Sequence, residues 1–114
     1  MTNGPVYQKS YQFSLQIIKL SKKLMSQKET VISKQLLASG TSVGANVREA
    51  SAACSRKDFI NKMTIASKEA REVKYWLNLI NDSNMIDYDL AEIISLNEEL
   101  IRLLTSIVKS SQKK

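Results

Sequence analysis

Apolar residues recur along this chain at intervals of three and four, and they do so in four successive segments. In the first, Phe13, Ile17, Leu20 and Leu24 form one stripe, and Tyr7, Tyr11, Ser14, Leu15 and Ile18 form a second beside it. Such spacing marks a helix with a wide apolar face, and it predicts a helix over 6–26. A polar break, Ser26-Gln27-Lys28-Glu29, follows, with Thr30 as the expected N-cap of the next helix. From there Ile32, Leu36, Val43, Val47, Ala50 and Cys54 carry a stripe through 30–54. Its weak point is Ser39 to Gly44, where two glycines each cost about 1 kcal/mol against alanine in a helix interior. On the residues alone, this stretch could equally be a loop between two shorter helices.

The third segment has the cleanest pattern. Phe59, Met63, Ala66, Ala70, Val73, Leu77 and Ile80 alternate four and three apart, a heptad-like seam over 56–81. Ser55 and Asp58 have the spacing of a capping box at its start. Asn81 to Asn84 reads as a turn. The fourth helix is predicted over 87–110, capped by Asp87, with Asp89 and Glu92 near its positive end. Leu90, Ile93, Leu100, Leu104 and Ile107 form one stripe there, and Ile94, Ile101 and Val108 form another. Four helices of about 30 Å with short links predict an all-α, antiparallel up-down-up-down four-helix bundle. Residues 1–114 make one domain, with 1–5 and 111–114 as flexible tails. The doubled stripes on the first and last helices exceed what one bundle interior needs, so the surplus is expected between subunits. Tyr75 and Trp76 are candidates for that contact; the alternative is that Trp76 simply caps the core.

Composition narrows the function. Three Gly, one Pro and 6% aromatics leave little material for a β-fold. There is no His, which removes the commonest general base and metal ligand. One Cys without His cannot assemble an ordinary zinc site, and the inward Glu-x-x-His pattern of di-iron bundles is impossible. Gly40 and Gly44 lack the following Lys-Ser/Thr of a phosphate loop. Glu98-Glu99 falls on a polar helix face. No catalysis and no cofactor are therefore expected. The lone Cys54 fits a reducing compartment. Met1 to Pro5 lacks the basic start and apolar core of an export signal, and no apolar run is long enough for a membrane span. A cytoplasmic, non-membrane protein is expected.

The net charge is +6, carried unevenly: residues 1–76 hold +8 and residues 77–114 hold −2. A basic excess favours polyanions. The basic set is Lys19, Lys22, Lys23, Lys34, Arg48, Arg56, Lys57, Lys62 and Lys74, and its ordinary explanation is a solvated face. Lys22 and Lys23 also suit the C-terminal dipole of the first helix. Arg56 and Lys57 sit at a helix start, where the dipole disfavours them, so that pair calls for another reason. The residues expected to meet phosphates are Lys22, Lys23, Arg48, Arg56, Lys57 and Lys62.

At Gln35 to Ala50 the chain becomes distinctive. Ser42, Val43, Ala45, Asn46, Val47 and Glu49 match Ser-[Ile/Val]-x-Ala-Asn-[Ile/Val]-x-Glu-Gly, with Ala50 in place of the usual Gly. That stretch resembles a bacterial four-helix bundle family encoded in intervening sequences of large-subunit ribosomal RNA genes and elsewhere. Ser55, Lys57, Asp58, Phe59 and Ile65 to Ala70 resemble its third helix. The family in turn resembles the accessory variability determinant of diversity-generating retroelements, a basic pentamer that binds nucleic acid and a reverse transcriptase. The resemblance implies one unbroken second helix and a homo-oligomer, a pentamer above all. On the residues themselves, Gly40, Ser42, Gly44 and Ala45 are read first as tight packing within the chain. Asn46 and Glu49 are read as a hydrogen-bond network that fixes helix register, ahead of a ligand site. The function expected is a non-catalytic, oligomeric accessory protein that binds RNA or DNA. The alternative is a protein–protein scaffold, for instance a docking subunit for a neighbour-encoded enzyme such as a reverse transcriptase.

Overall fold

Pro5 opens the first helix, where its fixed φ suits the helix and its missing N–H is no loss. In the computed structural model, which describes residues 4–113, four helices follow in order: α1 (Pro5–Ser26), α2 (Thr30–Ala50), α3 (Arg56–Ser83) and α4 (Ala91–Gln112). Each packs on its neighbours in sequence, and α1 closes on α4. The result is the antiparallel bundle expected, 46 × 20 × 20 Å. Pro5 and Ser111-Gln112 belong to helices rather than to tails; residues 1–3 and 114 lie outside the described residues.

The core takes one stripe from each helix. Phe13, Ile17, Leu20 and Leu24 meet Leu36, Val43 and Val47, then Ala66, Ala70, Val73 and Leu77, then Leu100 and Leu104, all essentially inaccessible. The other stripe of α1 faces outward: Tyr11, Leu15 and Ile18 are exposed, and Tyr7 is half-buried. Ile94, Ile101 and Val108 of α4 are only half-buried. Asn97, buried along with Ser10, Ser21, Ser33 and Ser39, donates from Nδ2 to the Ala70 carbonyl at 3.0 Å, tying α4 to α3.

The glycine stretch is helical throughout, because α1 needs the space. A Cβ on Gly40 would lie 2.6 Å from Ile17 Cγ2, and one on Gly44 would lie 2.7 Å from Ser14 Oγ. Ser33 Oγ donates to the Ser21 carbonyl across the same seam at 2.8 Å. Small residues let two helix backbones approach closely, which here outweighs the propensity cost of glycine.

The ends differ from expectation at several places, each for a capping reason. Thr30 is not a cap. Lys28 adopts the left-handed conformation, φ 66°, and Glu29 N–H bonds the Leu24 carbonyl at 2.9 Å while the Glu29 carbonyl accepts from Ser33 N at 3.0 Å. Glu29 thus closes α1 as the last residue of a Schellman motif and also starts α2. The second helix stops at Ala50, not at 54. Tightened bonds from Ala52 to Glu49 and from Ala53 to Ala50 unwind it, because Ser55 must be extended to cap α3, which leaves Cys54 exposed. Ser55 Oγ accepts from Asp58 N at 3.0 Å, but the Asp58 carboxylate reaches Cys54 N, one residue before the cap. At the other end α3 continues to Ser83, and Asn84 takes the left-handed cap. Finally, α4 starts at Ala91, whose N–H is held by Asp89 Oδ1 at 3.0 Å; Asp87 is exposed and caps nothing.

Two outcomes follow. Gly40→Ala should destabilise the bundle by about 1–2 kcal/mol, since overpacking against Ile17 exceeds the helix-propensity gain; denaturant unfolding that showed a gain would contradict the close seam. Lys28→Gly should stabilise it by roughly 1 kcal/mol by removing the left-handed strain of a side-chain-bearing residue, read as a higher urea midpoint.

Candidate nucleic-acid interface

Antiparallel packing folds the linear charge pattern back on itself. Gly44 lies beside Ser14, Glu49 beside Lys62, and Ala70 beside Asn97, so the bundle divides across its length near residues 13, 43, 68 and 98. The half with residues 4–13, 43–68 and 98–113 carries nine Lys/Arg against four Asp/Glu. The other described half, 14–42 with 69–97, carries seven against seven. All the surplus charge of the described residues therefore collects at the end built by the α2–α3 turn and the C-terminus of α4.

Of the six predicted cations, four gather there. Arg48 is exposed in the last turn of α2, its guanidinium 4.7 Å from the centre of the Tyr7 ring. Arg56 and Lys57 are exposed in the first turn of α3. Lys62 is already engaged, with Nζ 2.9 Å from Glu49 Oε1. The hydrogen bond from Glu49, and then its charge, raise the Lys62 pKa above the ordinary 10.5. Lys22 and Lys23 lie at the far end of α1. Ser21 sits level with Ser33, and Arg48 is fifteen residues further along α2, about 22 Å away at 1.5 Å per residue. The six do not form one surface.

Sequence reasoning overlooked Arg71, Arg102, Lys109 and Lys113. They line a shallow depression of about 560 Å³ on α3 and α4, together with Thr105 and Ser110. The net charge of residues 77–114, −2, hid Arg102, Lys109 and Lys113: the acids there lie between 82 and 99, and the cations from 102 onward.

The small-residue motif separates into three directions. Gly40 and Gly44 face α1. Ala45 is exposed and, with Tyr7, Tyr11 and Arg48, lines a groove of about 270 Å³ on the outer α1–α2 face. Asn46 Nδ2 donates to the Ser42 carbonyl at 2.9 Å and to Ser42 Oγ at 3.1 Å. Both bonds stay within α2, so they do not set register between helices; the cross-helix tie is Glu49 to Lys62. Among the described residues no group of side chains could hold a metal, and no helix is long and apolar enough to cross a membrane.

A family model described as 23S rRNA-intervening sequence protein matches residues 2–106. Among solved structures, the chain is similar to a protein with unknown function from the S23 ribosomal protein family of Bacteroides thetaiotaomicron VPI-5482. Identity is 49% and the TM-score 0.87, over 91% of this chain and 98% of that one. No curated protein matches the chain.

The Lys62–Glu49 pair gives a pH test. The folded chain holds the Lys62 proton more tightly than the unfolded chain does. The pair's stabilisation is therefore full below pH 10.5 and fades as pH rises through the raised folded value. Glu49→Gln should lower the thermal midpoint slightly at neutral pH, and the deficit should close at strongly alkaline pH. A deficit that persists unchanged at strongly alkaline pH would assign Glu49 another role.

Proposed function

We propose, for a chain that belongs to the 23S rRNA-intervening sequence protein family, a non-catalytic, homo-oligomeric accessory role in which the basic end of each bundle binds nucleic acid, RNA foremost. The observation that carries this reading is the polarised charge: nine cations against four acids in one half of the described bundle, and balance in the other. Arg48, Arg56 and Lys57 are free of ion pairs among those described, while Lys62 and Lys9 are spent on Glu49 and Glu99. Exposed Lys and Arg neutralise phosphates without reading bases, so binding should be strong in charge and weak in sequence preference.

Self-association rests on a separate feature. Tyr11, Leu15, Ile18 and Met25 along α1, with Leu37 on α2, stay exposed in a single bundle. A contact between copies would remove them from water. We read the assembly as a pentamer; cyclic symmetry would set five basic ends on one rim and multiply weak contacts by avidity. The same apolar face is what a protein-docking role would use, and this keeps the scaffold reading as the second one.

Light scattering at micromolar concentration should give the mass of about five chains, and Leu15→Glu with Ile18→Glu should lower it. Fluorescence anisotropy with a structured RNA should show affinity that falls steeply with salt. Arg48→Gln with Lys57→Gln should flatten the slope by roughly 0.9 for each phosphate no longer neutralised. No binding at low salt, or a flat slope in the unmodified protein, would end the nucleic-acid reading and leave the scaffold.

A further inference from the structure

The depression on α3 and α4 differs from an ordinary solvated helix face. Arg102, Lys109 and Lys113 follow one another at seven and four residues, a row of about 16 Å along α4. Arg71 of α3 joins it, held in place by a hydrogen bond from its Nη2 to Thr105 Oγ1 at 2.9 Å. No carboxylate lines the depression, and the described ion pairs, Lys9–Glu99 and Lys62–Glu49, engage none of its cations. The dipole of α4 accounts for Lys109 and Lys113 near its C-terminus. It does not account for Arg102, about three turns earlier, or for Arg71 on another helix.

Ser110 belongs both to this depression and to a pocket of about 400 Å³ at the adjoining end of the bundle. The pocket has an apolar floor of Ala50, Ala53 and Phe59 and a rim that includes Arg56, again without a carboxylate. Phe59 is only half-buried, so part of the ring remains accessible. A cationic row that leads into an apolar, aromatic-floored pocket has the two parts by which single strands are held: charge along the backbone, and a ring for an unstacked base. A duplex keeps its bases stacked inside and has nothing to offer the pocket.

We propose that this cleft binds one single strand of nucleic acid, its phosphates along Arg71, Arg102 and Lys109 and one unstacked base against Phe59 beside Arg56. The proposal rests on the nucleic-acid reading above, and it moves the principal contact from the α2–α3 turn to the α3–α4 cleft.

The test is anisotropy of the full chain with a labelled ten-nucleotide RNA, a hairpin duplex of the same composition, and an oligo-glutamate as a plain polyanion. The single strand should bind more tightly than the duplex, and oligo-glutamate should not compete. Arg71→Gln with Arg102→Gln and Lys109→Gln should reduce the salt slope by about 2, at roughly 0.7 per phosphate for a single strand. Phe59→Leu should weaken the single strand at least about fivefold with the slope unchanged, and Phe59→Tyr should retain affinity. Circular dichroism checks that each variant is folded. If the triple variant binds like the parent while Arg48→Gln with Lys57→Gln loses affinity, the cleft is wrong and the wider reading stands. Failure of the parent to bind any RNA removes both. Equal competition by oligo-glutamate, or equal affinity for duplex, overturns the cleft as a single-strand site.

Discussion

The close approach of α1 and α2 at Gly40 and Gly44 is the constraint on which the rest of the bundle depends. With no Cβ at either position, Ile17 and the Ser10–Ser14 turn occupy the space where side chains would stand. That contact explains why two glycines lie inside an unbroken helix. It also fixes the rotation of α1, turning Phe13, Ile17 and Leu20 inward and leaving Tyr11, Leu15 and Ile18 outside. The apolar outer face is thus a consequence of how tightly the inner seam is made. A single bundle cannot bury both stripes of α1, because the helix has only one side toward its neighbours.

Charge obeys the same geometry. A linear tally divides the chain into a basic first two-thirds and an acidic remainder. The up-and-down path instead lays the basic end of α4 beside the basic start of α3, and the acids at 82–92 near Lys22, Lys23 and Lys28. One end keeps the excess and the other is neutralised. The solved relative from the S23 ribosomal protein family, 49% identical, is of unknown function, so the electrostatic asymmetry is the more informative guide.

The existence, number and order of the helices were legible in the sequence because 3.6-residue periodicity is strong over twenty residues. Boundaries were less so, since they turn on side chains a residue or two apart: Asp89 rather than Asp87, and Glu29 rather than Thr30. Of the expected site, Arg56 and Lys57 were singled out by helix-end chemistry, and Arg48 only as one of the basic set; all three lie at the basic end of the bundle. Lys22 and Lys23 were grouped with them only because a list of cations carries no distances. Arg71 and Arg102 were overlooked because their partnership spans two helices, and Asn97 because one polar residue inside an apolar stripe looks like its edge.

The shared residue Glu29 has a kinetic side. Its N–H completes one helix and its carbonyl begins the next, so the α1–α2 link contains no slack. Joining these two helices closes a very short loop, and the entropy lost in doing so is small. The hairpin is accordingly the cheapest tertiary unit for the unfolded chain to assemble, and local contacts of this kind favour rapid folding. The α3–α4 connection, seven residues from Asn84 to Leu90, has the greater freedom, and it is there that extra length would least disturb assembly.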